Sequence, residues 1–110
     1  MARLATHIWV SAYLHRLTAE GIYAQVMHRG DATAGAVAIK VSFMDGRASL
    51  WTRAFGIDGR LAWDTELAER PEPEVDEAIA RRRGRDRDLW VIEVEDPRGR
   101  HMLDDPAFGD

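Results

Sequence analysis

Four histidines, His7, His15, His28 and His101, are the first residues to test for chemistry, because imidazole serves both as metal ligand and as general base. No two stand in a His-x-x-x-His spacing, and His7 and His15 lie eight residues apart. On a helix that is more than two turns, too far for both rings to reach one tetrahedral ion. The chain has no cysteine, which removes disulfides, thiolate zinc sites and cysteine nucleophiles. Ser11, Ser42 and Ser49 lack a G-x-S-x-G elbow, and no glycine pattern matches a P-loop or a dinucleotide turn. Asp64, Glu66 and Glu69 could supply a carboxylate pair, but acidic segments ahead of a helix are usually solvated. The sequence assigns no catalytic residue, no metal ligand and no cofactor.

Two groups remain as binding candidates. Arg81, Arg82, Arg83, Arg85 and Arg87 fall within seven residues and could take the phosphates of a nucleotide or of RNA. Asp86, Asp88, Glu93, Glu95 and Asp96 are interleaved with that cluster and cut its field. Glu77, one helical turn before Arg81, offers a pair of about 0.2–0.5 kcal/mol. The second group is Lys40, Trp51 and Arg53. A two-residue turn at Asp45-Gly46 would set Lys40 opposite Trp51 on the polar face of a hairpin, with Arg53 diagonal to it. An indole there could stack on a cation for about 0.5–1 kcal/mol or anchor a partner. A helix laid over that face would make Trp51 core instead. The Arg29-Gly30-Asp31 triplet reads as turn chemistry, with Asp31 capping local amides.

The elements that must position these residues follow from periodicity. Val10, Tyr13, Leu14 and Leu17 take the i, i+3, i+4, i+7 face of a helix over 7–20, with Thr6 as cap, Gly21 as stop and Trp9 near the stripe's edge. Ile22 to Arg29 alternates weakly, as a strand. Ala36 to Met44 alternates clearly, with Val37, Ile39, Val41 and Phe43 on one side. Asp45-Gly46 and Asp58-Gly59 both carry the type I′ signature. That register sets Val41 against Leu50, Ile39 against Thr52, Ser42 against Ser49 and Trp63 against Ala54. It buries Val37, Ile39, Val41, Phe43, Leu50 and Trp63 on one face.

After the acidic segment Asp64 to Glu77, a helix is expected over Pro73 to Arg83. Acids crowd its positive end, arginines its negative end, and Gly84 supplies a left-handed stop. Its thin stripe of Val75, Ala78 and Ile79 suggests a place at the sheet's periphery. Leu89 to Glu95 reads as a strand, Asp96 to Gly99 as a type I turn, and Arg100 to Leu103 as a short returning strand. The order α-β-β-β-β-α-β-β implies an α+β fold: an antiparallel sheet of about four to six strands with two helices, both on one face. The length of 110 residues fits a single domain, 1–110, with a frayed tail from about residue 104.

Composition adds bounds. Hydrophobic residues make up 45% of the chain, enough for an ordinary core, and the net charge of −4 weighs against a protein that coats nucleic acid. The fifteen cationic side chains include one lysine, Lys40, a bias read chiefly as codon usage. His7, Ser11 and His15 interrupt the apolar N-terminal segment, and no stretch approaches the roughly 20 apolar residues of a membrane span. A soluble, cytoplasmic protein with no membrane partner is expected.

With these residues laid out, the chain resembles the alphaproteobacterial domain-of-unknown-function family 1491. The segments that carry the resemblance are IWVSAYL near the start, RGDATAGAVAIKV in the middle, and VDEAIARRRGRDRDLWVIEVED followed by GRH. It spans about residues 4 to 103 and implies one domain, with no activity to carry over. The expected function is that of a small non-enzymatic protein that binds a protein partner, or a second copy of itself, through Lys40, Trp51 and Arg53. The alternative is a small phosphate-directed enzyme or a nucleotide- or nucleic-acid-binding protein that uses the Arg81–Arg87 cluster, with nucleic acid the less favoured partner.

Overall fold

The computed structural model describes residues 4–109, the Phe55 side chain excepted. The elements run α1 (Thr6–Ala19), β1 (Tyr23–His28), β2 (Val37–Ser42), β3 (Arg47–Phe55), β4 (Leu61–Pro71), α2 (Glu72–Arg85) and β5 (Trp90–Glu95). This is an α+β fold. The five strands form one sheet in the order β1-β5-β2-β3-β4, antiparallel except where β2 and β5 run parallel. The meander β2-β3-β4 returns through α2, and β5 then inserts between β1 and β2. Residues 100–103 form no returning strand. Tyr13 Oη donates to the His101 carbonyl at 2.7 Å, and this segment turns across the sheet instead.

The helices lie on opposite faces, not on one. Trp9, Val10, Tyr13 and Leu17 of α1 pack on Val37, Ile39, Val41, Trp90, Ile92 and Val94. Val75, Ala78 and Ile79 of α2 pack on Ala38, Ala48, Leu50 and Val91. Small residues on that second face let the thin stripe of α2 settle over the middle of the sheet, inside the expected periphery. Because both faces of β2 are covered, all six of its residues are buried. Alternation along β2 therefore marks two cores, not a core and a solvent face.

The hairpin register departs from the expectation by one residue, twice. Val41 pairs with Ser49 and Lys40 with Leu50, while Arg53 pairs with Trp63. In both turns Asp-Gly occupies the last two places of a three-residue loop. The Gly59 amide donates to the Gly56 carbonyl at 3.0 Å, the Gly56 amide donates to Arg60 at 2.9 Å, and Gly59 sits at φ 77°. That is a type I turn closed by a left-handed glycine, the usual three-residue hairpin. At the other turn Phe43 donates to the Arg47 carbonyl at 3.1 Å, with Met44 and Gly46 both at positive φ. One residue of slip turns every side chain over. Leu50 thus goes to the α2 face, while Trp51 and Arg53 join Val41 on the α1 face. The second slip cancels the first, so Trp63 arrives on the Val41 side as expected. Ser42 and Ser49 are not partners: Ser42 Oγ accepts from the Met44 amide, and Ser49 Oγ accepts from the Glu69 amide at 2.9 Å.

Local signals fared unevenly. Thr6 is the first residue of α1 and not its cap. Its amide and that of His7 donate to the carbonyls of Thr33 and Ala32, so the 29–36 loop satisfies two of the helix's unpaired donors. Asp31 caps the amides of Thr33 and Ala34 as expected. Gly30 and Gly35 are required by close approach rather than by turn geometry: a Cβ on either would meet the Asp88 carbonyl oxygen, at 2.1 and 2.4 Å. Gly84 lies inside α2, which runs on to Arg85 and ends at an extended Asp86. The acidic segment from Asp64 is mostly strand, since β4 continues to Pro71. Asp96 to Gly99 does close a turn, with the Gly99 amide donating to the Asp96 carbonyl at 2.8 Å. The tail from residue 104 is packed: Phe108 is buried on Trp9 and Tyr13, and its carbonyl accepts the Trp63 indole N–H at 2.6 Å.

Candidate interaction surface

The slip in β3 separates the three residues expected to share a surface. Lys40 points under α2 and is 6% exposed. Its ammonium donates to Glu72 Oε2 at 2.6 Å and to Asp76 Oδ1 at 2.7 Å, with Glu93 at 3.7 Å. Burial pushes Lys40 down, but its bonds to Asp76 and Glu72 outweigh that and hold it above its ordinary value. Glu93 is pushed up, chiefly by burial, despite the lysine beside it. A charged lysine held this way offers no free amine for chemistry.

Trp51 and Arg53 lie on the other face. Trp51 is half-buried against the core, its ring 4.5 Å from that of His101. The Arg53 guanidinium sits 4.8 Å from the rings of both Trp9 and Trp63. Burial lowers His101, whose Nδ1 accepts the Leu103 amide at 3.0 Å. Lys40, Trp51 and Arg53 therefore do not form one patch.

The arginine cluster is partly tied up. Arg81 donates to Glu77, and Arg82 is ion-paired with Glu66 of β4. Arg83, Arg85 and Arg87 are exposed, and Arg85 lines a shallow cleft with Ala36, Arg82, Asp86 and Leu89. Among the described residues no three His, Asp or Glu side chains gather at metal-binding distance. None of their helices is long and apolar enough to cross a membrane.

What the sequence reading passed over is the edge strand β1. Of the five strands it alone carries no Asp, Glu, Lys or Arg. It exposes Tyr23, Val26 and Met27 at 58%, 37% and 46%. Its backbone polarity follows from its neighbours. Trp90 and Asp96 donate to the carbonyls of Ala36 and Ser42, so even-numbered residues of β5 bond toward β2. Odd-numbered ones then face β1, where Glu93 and Glu95 pair with Gln25 and Tyr23. Ala24 and Val26 consequently turn their amides and carbonyls outward, away from the sheet. Met27 forms a bulge only at the strand's far end. The opposite edge, β4, is guarded by Asp64, Glu66, Glu69 and Arg70, by two register breaks and by a terminal proline. An uncharged YAQVMH run among charged strands was the signal available in the sequence.

A five-stranded mixed sheet with one helix on each face and one open edge defines the class of protein. Within that class the sequence model for a protein of unknown function, DUF1491, matches residues 4–104. The chain belongs to that family. It is similar to the crystal structure of a DUF1491 protein from Caulobacter crescentus, with 40% identity, a TM-score of 0.85, and coverage of 94% of this chain and 98% of that one. An NMR structure of a DUF1491 protein from the same organism gives 39% identity and a TM-score of 0.82, covering 96% and 97%. A solution structure from A. tumefaciens shares 32% identity at a TM-score of 0.73, covering 86% of each chain. No curated protein matches the chain.

Proposed function

We propose that this is a non-catalytic cytoplasmic binding protein that takes an extended segment of polypeptide onto the β1 edge. The observation that carries this reading is β1 itself: an edge without charge, with three exposed apolar side chains and with the Ala24 and Val26 backbones turned outward. Main-chain bonds to such an edge supply affinity, and the alternating side chains supply selectivity. The test is a displayed library of ten-residue peptides. Selected binders should lose at least about tenfold in affinity for Ala24→Pro, since proline removes an outward donor while sparing the bonds to β5. Binders that ignore this substitution would refute the reading.

A second reading, phosphate binding by the α2 C-terminus, draws on Arg83 and Arg87, which are exposed and in no ion pair among the described residues, and on Arg85 in the cleft. Against it stand Asp86 and Asp88 in the same turn. Retention on heparin that falls steeply with salt and disappears in Arg83→Glu/Arg85→Glu would favour it.

A further inference from the structure

Resting on the β1 reading, we infer that the strand received at this edge is β1 of a second copy of the chain, paired antiparallel across a two-fold axis. Three features make the edge complementary to itself. First, only Ala24 and Val26 direct backbone groups outward, so they must face each other's counterparts. Pairing each Ala24 with the other copy's Val26 sets the axis at Gln25 and makes four backbone hydrogen bonds. Second, this register lays Tyr23 opposite Met27, bringing together the two most exposed apolar side chains of the strand. Third, the strand is bracketed by Glu20, which pairs with Arg16, and by Arg29, which lies over Trp90; both are exposed, and antiparallel pairing brings the acid of one copy to the same end as the base of the other. A parallel or shifted partner strand would forfeit the second and third matches. The result is a ten-stranded sheet running through both copies, with both vulnerable edges covered and the two guarded β4 strands outermost.

The cysteine-free chain permits a direct test. At the axis the two Gln25 Cα atoms would stand about 4.5 Å apart, within the roughly 4.4–6.8 Å that a disulfide spans. Gln25→Cys should oxidise to a covalent dimer, while Ala62→Cys on the β4 edge should stay monomeric under the same conditions. In sedimentation equilibrium the parent should rise from 12.4 kDa toward twice that mass with concentration. Ala24→Pro should weaken association at least about tenfold. Tyr23→Lys, which leaves the backbone alone, should do likewise if the proline variant fails to fold. A parent of monomer mass throughout, with Gln25→Cys crosslinking no faster than Ala62→Cys, would overturn the self-pairing. In that case library peptides that bind the parent and lose binding in Ala24→Pro would leave the edge reading standing; absence of such peptides would remove both.

Discussion

Lys40 and Arg53 are the two cations that β2 and β3 send into the interior, and the two faces of the sheet set different side chains against them. On the α2 face the compact ammonium of Lys40 meets carboxylates. Glu72 and Asp76 come from the first turns of α2, so the acids that complement the helix dipole also neutralise the lysine. On the α1 face the flat guanidinium of Arg53 packs against two indoles that also touch each other, Trp9 from the helix and Trp63 from β4. A planar, weakly hydrated cation suits stacking; a strongly hydrated point charge needs anions. The faces are built accordingly. One is aromatic, with Trp9, Tyr13, Trp63 and Phe108 in mutual contact, and the other is aliphatic and small, with a charged cluster at its border.

Two substitutions should break this comparison outright. Trp9→Ala removes one wall of the Arg53 stack together with ring contacts to Tyr13, Trp63 and Phe108. A cost of about 3–5 kcal/mol is expected from lost burial and the cavity together, read as a large fall in the denaturation midpoint. Lys40→Met should cost less, about 2 kcal/mol. Breaking a buried pair usually costs roughly 3–5, but Glu72 and Asp76 are exposed enough to regain water. Glu93 is not, at 12% side-chain exposure, so adding Glu93→Gln to Lys40→Met should recover part of the loss. No recovery in the double variant would mean that Glu93 carries little of the strain.

Lys40 and Arg53 also mark the limit of what was legible in the sequence. Helix α1, all five strands and the acid-to-arginine grammar of α2 follow from local pattern, and the structure has them. The face of β3 does not. Its residues read Ala48, Leu50 and Thr52 on one side and Ser49, Trp51 and Arg53 on the other, each side mixing polar with apolar. With a helix over both faces, either orientation buries something acceptable, so alternation cannot choose. The choice fell to loop length, and Asp-Gly fits the end of a three-residue loop as well as a two-residue one. Two turns that agreed with each other gave no independent check, because equal slips preserve their agreement. The extension of β4 from Asp64 to Pro71 was hidden by its charges, which are tolerated on an edge. The packed tail was hidden because Phe108 meets its partners more than forty residues away along the chain.

Arg53→Lys sharpens the contrast with a smaller effect. The lysine keeps the charge but loses the flat contact with two rings, for a cost of about 1 kcal/mol. The half-exposed carboxylates around Lys40 are screened by salt. The destabilisation by Lys40→Met should therefore shrink between about 0.1 M and about 1 M salt. A Lys40→Met cost that salt leaves unchanged would show that these carboxylates contribute little to holding the lysine.

The smallest effect, and the one that separates the faces by sign, is their response to pH. His101 on the α1 face is held below its ordinary 6.5 by burial, against a smaller upward pull from Asp104, and its Nδ1 accepts the Leu103 amide. The unfolded chain thus binds this proton more readily than the fold does. Stability on this account falls as pH drops below 6.5, until the depressed native value is passed. Protonation also turns Nδ1 into a donor facing the Leu103 donor, which loosens the segment held over Trp51. Glu93 on the α2 face behaves oppositely. Burial raises it above 4.5, with Glu95, Glu72 and Asp76 adding repulsion to offset Lys40. The fold binds that proton more readily than the unfolded chain, so stability on this account falls as pH climbs from 4.5. Glu20, Asp45, Asp96 and Asp105 are all held below their ordinary carboxylate values, so their protonation lies at the acid side of this window. Above pH 4.5 the Glu93 slope and below pH 6.5 the His101 slope act on the parent's midpoint in opposite directions. His101→Gln should leave a midpoint that declines as pH rises there, and Glu93→Gln one that climbs. Parallel slopes in the two variants would show that the faces do not titrate with opposite sign.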